Sequence, residues 1–295
     1  QTGVKTLFSD ESLREELAQR GYFLSSANSI NWGRVLPQIV YYISAYCDLL
    51  AQGAVTEGEP VNFCVPTGNF GNILSAFYAK EMGLPIGRLL CASNSNNVLT
   101  DFIATGKYDR NRPFYNTVSP SMDILISSNL ERLLYLLSGG DDKLVAGYMK
   151  ELSDTGCYQV SEEMRKKIQS VFVGGFSSEA ETEATIGKMM DEHKYLIDTH
   201  TAVAFHVLEQ YRKETGDQTK TVVASTASPF KFCDAVLDAL NVTDKATGTA
   251  LLDQLAEVSG MPAPQPLATL KDKQVRFTSW TEKEQMRAVV TDFLK

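Results

Sequence analysis

No stretch of this sequence is apolar over the roughly 18 residues that a membrane-spanning helix requires. The first residues, Gln1-Thr2-Gly3-Val4-Lys5, contain no basic segment followed by an apolar one. Neither a membrane span nor a secretory leader is expected, so the sequence reads as a cytoplasmic protein. There is also no C-x-x-C pair, because Cys47, Cys64, Cys91, Cys157 and Cys233 are scattered singly. Apolar neighbours such as Phe63 and Val65, or Leu90 and Ala92, make these cysteines expected buried thiols and not metal ligands or disulfide partners. Positive charge is in short supply too: the net charge of -8 excludes a general nucleic-acid surface, and any anion must be held by a local site. At 295 residues, 43% hydrophobic and 22% charged, the composition is that of one large or two ordinary globular domains, and disorder is excluded.

What is present is an alternation of structural patterns. Ser9-Asp10-Glu11 places acidic residues at a helix start, so a helix is expected over 9–20, ended by Gly21 and followed by a strand at Tyr22-Phe23-Leu24. From Gly33, the residues Val35, Leu36, Ile39, Val40, Ile43, Cys47 and Leu50 recur at helical spacing and should face the core, with Pro37 marking a start or bend. Val61-Asn62-Phe63-Cys64-Val65 reads as a buried strand, 66–72 as a turn, 73–82 as a helix ended by Gly83, and Leu89-Leu90-Cys91-Ala92 as the next strand. Strand, glycine turn, helix and strand imply an α/β fold with a parallel sheet, because parallel neighbours need a crossover connection. Helical patterns over 123–137, 141–152, 161–171 and 179–193 make the middle of the chain α-rich. A helix over 201–212, a strand over 221–224 and a helix over 231–240 restore the alternation. Two last helical segments, 246–258 and 282–293, flank a proline-rich surface connection at Pro262, Pro264 and Pro266.

The most informative stretch is Pro66-Thr67-Gly68-Asn69-Phe70-Gly71-Asn72, between a buried strand and a helix. Glycines there allow positive φ and close approach, so that several N–H groups can point at one anion beside the positive end of the helix. The loop lacks the Lys-Ser/Thr of a P-loop and the G-x-G-x-x-G of a dinucleotide site, so a nucleotide is not the expected ligand. Taken alone, it is equally compatible with a purely structural glycine turn.

This loop resembles the glycine-asparagine loop that grips the cofactor phosphate in fold-type-II pyridoxal-phosphate enzymes, and G-N-F-G-N after a strand ending in P-T resembles threonine synthase. Three further segments carry the same resemblance: Asn28-Ser29-Ile30-Asn31-Trp32-Gly33-Arg34; Pro120-Ser121-Met122-Asp123-Ile124 with Ser127-Ser128-Asn129-Leu130-Glu131-Arg132; and Ser225-Thr226-Ala227-Ser228-Pro229-Phe230-Lys231-Phe232. The resemblance implies the tryptophan synthase beta-like architecture, a parallel sheet flanked by helices. Residues 1–24 would then close the smaller domain, and 25–295 would form the large cofactor-binding domain, with an α-rich insertion at about 100–200 and a helical C-terminal tail.

It also implies roles for residues. Gly68, Asn69, Phe70, Gly71 and Asn72 would hold the phosphate of pyridoxal 5'-phosphate, and Asn28, Ser29 and Arg34 would meet the substrate phosphate, joined by the Asn72 side chain. A guanidinium fork with short amide and hydroxyl donors suits a phosphomonoester. Thr226 would meet the pyridine nitrogen; a hydroxyl cannot hold that nitrogen protonated as a carboxylate would, which suits elimination better than transamination. The plain structural alternatives are a solvated arginine at a helix start for Arg34 and a helix cap for Thr226. Asp198-Thr199-His200-Thr201-Ala202-Val203 is similar to a family segment that starts a helix, with His200 expected as a structural group; His193 and His206 are expected to be ordinary.

One family feature has no match. The cofactor lysine sits in a short S-F-K-D type motif upstream of the phosphate loop, and nothing between Gln1 and Gly68 resembles it, so no catalytic residue is assigned. Lys231, in Ser228-Pro229-Phe230-Lys231, has a superficial likeness but belongs to the segment that supplies Thr226. Without an initiating Met, the sequence is expected to be the C-terminal, larger part of a threonine synthase, inactive alone. The implied parent activity is conversion of O-phospho-L-homoserine and water to L-threonine and phosphate, with no metal, nucleic-acid or membrane partner and with monomer or dimer left open. The alternatives are a threonine-synthase-like phosphate-ester lyase or phosphatase, and a non-catalytic anion-binding fragment.

Overall fold

The computed structural model describes residues 2–294, which divide into two compact units: residues up to Asn28 with those from Lys271 onward, and Ser29–Leu270. The smaller unit holds α1 (Thr2–Ser9), α2 (Glu11–Gln19) and, from the far end of the chain, a last helix, Met286–Phe293. The larger unit begins with α3 (Trp32–Ala51), then β1 (Val61–Pro66), α4 (Gly71–Glu81), β2 (Ile86–Ser93) and α5 (Val98–Thr105). An antiparallel ribbon of β3 (Lys107–Asp109) and β4 (Cys157–Gln159) brackets α6 (Leu130–Leu137) and α7 (Asp142–Thr155). There follow α8 (Glu162–Val171), β5 (Phe172–Phe176), α9 (Glu179–His193), α10 (Thr199–Thr215), β6 (Thr221–Val223), α11 (Cys233–Ala239), α12 (Ala250–Ser259) and α13 (Gln265–Ala268).

The expected parallel α/β sheet is present, with strand order β5-β2-β1-β6 and every pairing parallel. All six residues of β1 are buried, because helices cover both faces of the sheet. Phe63, Val65, Leu89 and Cys91 pack with Ile73, Leu74 and Phe77 of α4 on one face. Their alternates Cys64, Leu90 and Ala92 pack with Val203, Ala204 and Val207 of α10 on the other. Burial of one such side chain is worth about 1.5–3 kcal/mol. Parallel strands point their carboxyl ends to one edge, so the ends of β1, β2 and β6 bring 66–72, 94–97 and 224–228 together along that edge.

Several expectations are corrected. Residues 22–24 form no strand: the Tyr22 N–H donates to Leu17 O (2.9 Å) and that of Gly21 to Ala18 O (3.0 Å), which closes α2 with the glycine at φ 78, and Phe23 is 85% exposed. The buried stripe of α3 is Val35, Ile39, Tyr42 and Tyr46, while Leu36, Val40 and Cys47 are exposed, and Pro37 lies within the helix. Cys157 is only half-buried. Residues 123–129 are not helical, because the Asp123 carboxylate anchors a loop: it accepts from Thr117 N–H (3.0 Å), Thr117 Oγ1 (2.7 Å), Asn94 Nδ2 (2.8 Å) and Asn96 Nδ2 (3.1 Å). Strand β5 was hidden by Gly174 and Gly175, which weaken a strand pattern. Both are needed for packing: a Cβ on Gly174 would lie 2.9 Å from Thr100 Cα, and one on Gly175 2.6 Å from Val207 Cγ1, on helices α5 and α10.

Candidate functional site

The last ladder bond of β1 runs from Thr67 N–H to Ala92 O (2.8 Å), and the chain then turns through Gly68, Asn69 and Phe70 into α4. The first backbone bond of that helix is Leu74 N–H to Phe70 O (2.9 Å). Six consecutive N–H groups, Gly68 through Ile73, donate to no acceptor among the described residues. A helix start leaves four such donors; Gly68 and Asn69 add two more.

Positive φ falls on Phe70 (φ 64) and not on the glycines of this loop, contrary to the expectation from sequence. The Phe70 ring is buried beside Phe172, 5.5 Å between centroids, and this burial offsets a left-handed backbone that costs about 1–2 kcal/mol. The glycines instead permit close approach. A Cβ on Gly68 would lie 2.8 Å from Ser121 O in the 3-10 turn Pro120–Met122, and one on Gly71 2.6 Å from Ser29 Cβ.

A strap from Ser127 to Arg132 fixes the loop. Ser127 Oγ donates to Gly68 O (2.8 Å), and the wholly buried Asn129 donates through Nδ2 to Asn69 O (2.8 Å) and Ser29 Oγ (3.0 Å). Arg132 donates to Ser29 O (3.1 Å) and to the carbonyl of Ile30. Ser29 is thus held directly against Gly71.

Asn72 is fixed from α3: Tyr42 Oη donates to its Oδ1 (2.6 Å) and lies 3.0 Å from its carbonyl oxygen. Burial pushes the Tyr42 phenol well above its ordinary pKa, so it stays a neutral donor. Asn72 and Thr226 line a common cleft of about 380 Å³ with Tyr41, Tyr42, Phe63 and Val222. Arg34 is exposed in the first turns of α3, with no side-chain partner among the described residues. Asn28 lies in the smaller unit, where its N–H donates to Ser26 Oγ (3.3 Å).

Residues 201–290 match the family model described as threonine synthase, C-terminal. The chain is 44% identical to threonine synthase-like 1 of Homo sapiens over 89% of its own length and 35% of that protein's. To threonine synthase of Saccharomyces cerevisiae it is 36% identical over 81% of its length and 48% of that protein's. A solved structure of threonine synthase from yeast superposes with a TM-score of 0.81 at 32% identity, over 100% of this chain and 57% of that one. A pyridoxal-phosphate-bound threonine synthase from Brucella melitensis gives a TM-score of 0.79 at 36% identity, over 99% and 56%. The chain is similar to threonine synthases and has their fold, that of the fold-type-II pyridoxal-phosphate enzymes. It spans between 35% and 57% of the length of these relatives.

His200 is wholly committed to structure. Its Nδ1 faces Asp198 Oδ1 (3.1 Å), its Nε2 accepts the Ser121 N–H (3.2 Å), and its ring packs on Phe232 at 4.8 Å. Burial alone would raise the Asp198 carboxyl, but hydrogen bonds from His200 and Thr201 outweigh it and hold the pKa below the ordinary value. Lys231 lines a different cleft from the one shared by Asn72 and Thr226. Tyr42, Asn129 and Arg132 were not assigned roles from sequence. Asn129 and Arg132 lie in a family-like segment, but their spacing does not say that they reach a loop 60 residues earlier.

Proposed function

We propose that this chain carries the cofactor-phosphate and substrate-phosphate sites of a threonine synthase, which converts O-phospho-L-homoserine and water to L-threonine and phosphate. The row of free N–H donors from Gly68 to Ile73 carries this reading, since a phosphate has the acceptor oxygens to fill it and the helix dipole favours the charge. Pyridoxal phosphate fits the residues present: the donor row for its phosphate, and Thr226, which lines the same cleft as Asn72, as a neutral partner for its ring nitrogen. The chemistry supplied there by bound pyridoxal phosphate is electron withdrawal from the α carbon of the substrate, which allows phosphate to leave the γ carbon.

The remaining roles belong to side chains. Ser29 Oγ accepts from Asn129, so its own hydrogen is free to donate to a substrate phosphate oxygen. Arg34 supplies a guanidinium fork to the same group. Tyr42 keeps Asn72 Oδ1 filled, which leaves the amide N–H groups of Asn72 for an anion. No lysine lines the Asn72–Thr226 cleft among the described residues, so the chain alone should bind the cofactor without turning substrate over.

Pyridoxal phosphate titrated into the chain should bind saturably and be displaced by inorganic phosphate, and borohydride followed by peptide mapping should find no stoichiometrically labelled lysine. Selective labelling of Lys231, or absence of saturable binding, would refute this assignment. The higher identity to threonine synthase-like 1 (44%) than to yeast threonine synthase (36%) keeps a threonine-synthase-like protein as a second reading, for which the activity proposed at the same phosphate loop is phosphate-ester cleavage. Product analysis with O-phospho-L-homoserine and the longest natural form of the protein separates the two: threonine and phosphate in equal amounts, or phosphate without threonine.

A further inference from the structure

We propose that a second cleft, on the Lys231 side of the larger unit, is a binding site for a monocarboxylate with an extended apolar body. This inference does not rest on the threonine synthase reading. The cleft measures about 670 Å³, within the usual range for small-molecule sites, and Val118, Pro120, Phe230, Phe232, Leu252 and Leu267 give it an apolar lining. Lys231 is exposed at this cleft, with its ammonium 6.0 Å from the Phe232 ring centroid and no carboxylate partner among the described residues. The other charged group of the lining, Asp234, is already paired with Lys245 at 2.6 Å. One free positive charge beside an apolar wall therefore selects a ligand with one negative charge and a hydrocarbon body.

The chemistry distinguishes this cleft from the phosphate loop. No arginine lines it, and the single ammonium of Lys231 balances the one charge of a carboxylate but not the two of a phosphomonoester. Binding is non-covalent: the Cys233 thiol in the lining is buried, donates to Phe230 O (3.2 Å), and has its pKa pushed up by burial, so it offers no thiolate.

Octanoate is a suitable probe, with 1-octanol and octylammonium as uncharged and oppositely charged controls, measured by isothermal titration calorimetry on the full chain. Octanoate should bind at one saturable site, more tightly than either control. Lys231→Gln should weaken octanoate by about threefold to tenfold and leave 1-octanol unchanged. Lys231→Glu should reverse the preference, favouring octylammonium over octanoate. Lys231 is exposed, so both variants should keep the wild-type melting temperature. Equal binding of octanoate and 1-octanol, an unchanged preference in Lys231→Glu, or no saturable octanoate binding would each overturn the proposal. Pyridoxal phosphate binding by the same variants should be unaffected, so failure here is distinguishable from failure of the phosphate-loop assignment.

Discussion

Tyr42 shows how a residue with no sequence signal comes to govern a site. Its place on α3, seven residues after Val35, puts it on the buried stripe, and its hydroxyl reaches over to Asn72 at the head of α4. Tyr42→Phe removes the hydrogen that fixes Asn72 Oδ1, so stability should fall by about 1 kcal/mol in urea denaturation, and pyridoxal phosphate should bind a few-fold more weakly. If affinity were unchanged, Asn72 would be oriented by something else. Arg34 is the opposite case, legible in sequence only through resemblance and without a side-chain partner among the described residues. On its proposed role, Arg34→Ala should weaken O-phospho-L-homoserine recognition in the active protein by roughly tenfold to a hundredfold, through loss of a charge-assisted fork, while cofactor affinity survives. Steady-state kinetics together with a cofactor titration would separate the two effects; loss of cofactor with unchanged substrate recognition would show the two phosphate sites to have been interchanged.

Among elements, those with a strong local pattern were readable and those defined by partners were not. Strand β1, helix α4 and helix α9 follow from apolar runs and caps within a few residues of each other, as with Ser178 and Glu181 at the start of α9. Strand β5 and the segment 123–129 depend on contacts far away in sequence: the former on α5 and α10 crowding two glycines, the latter on Asn94 and Asn96 reaching Asp123. The same division runs through the candidate site, where the glycine loop stands out as a local motif and the strap from Ser127 to Arg132 is defined by partners distant in sequence.

Helix α10 adds a measurable pH dependence. Asp198 caps it, accepting from His200 N–H at 2.9 Å, and its pKa is lower in the folded chain than in the unfolded one. A depressed carboxylate contributes stability above its unfolded pKa, about 4, and loses it as pH falls through the folded value. Asp198→Asn should therefore flatten the acid limb of the stability profile below about pH 4, while lowering stability at pH 7 by about 1–3 kcal/mol. Chemical denaturation across that range would check it; an acid limb as steep as that of the unmodified chain would assign the acid sensitivity elsewhere.

At the scale of the whole molecule, the two units differ in how much they bury. Among the described residues, the smaller unit has only Leu13 and Leu17 buried, whereas the core of the larger one surrounds the whole sheet. Ion pairs within it, such as Arg287 with Asp10 (2.6 Å) and Glu16 (3.3 Å) and Arg20 with Glu16 (2.7 Å), lie near the surface and add little. Amides of α1, α2 and the last helix should therefore exchange hydrogen well before those of β1 and β2, by a mechanism in which the smaller unit opens alone. Simultaneous exchange of both sets would mean that the chain unfolds as one.

The turn Pro120–Met122 has two occupied sides. Ser121 O crowds Gly68, Ser121 N–H is held by His200, whose ring rests on Phe232, and Pro120 and Phe232 line the Lys231 cleft. A wall shared in this way makes the two sites partners in a thermodynamic cycle. If filling one cleft shifts the turn, the affinity at the other must change, and reciprocity requires the same factor in both directions. Phosphate affinity measured at saturating octanoate should differ from that of the free chain by about twofold or more, a coupling of the order of RT ln 2, and octanoate affinity at saturating phosphate should differ by the same ratio. Equal affinities in both experiments would make the turn a rigid partition between two independent sites.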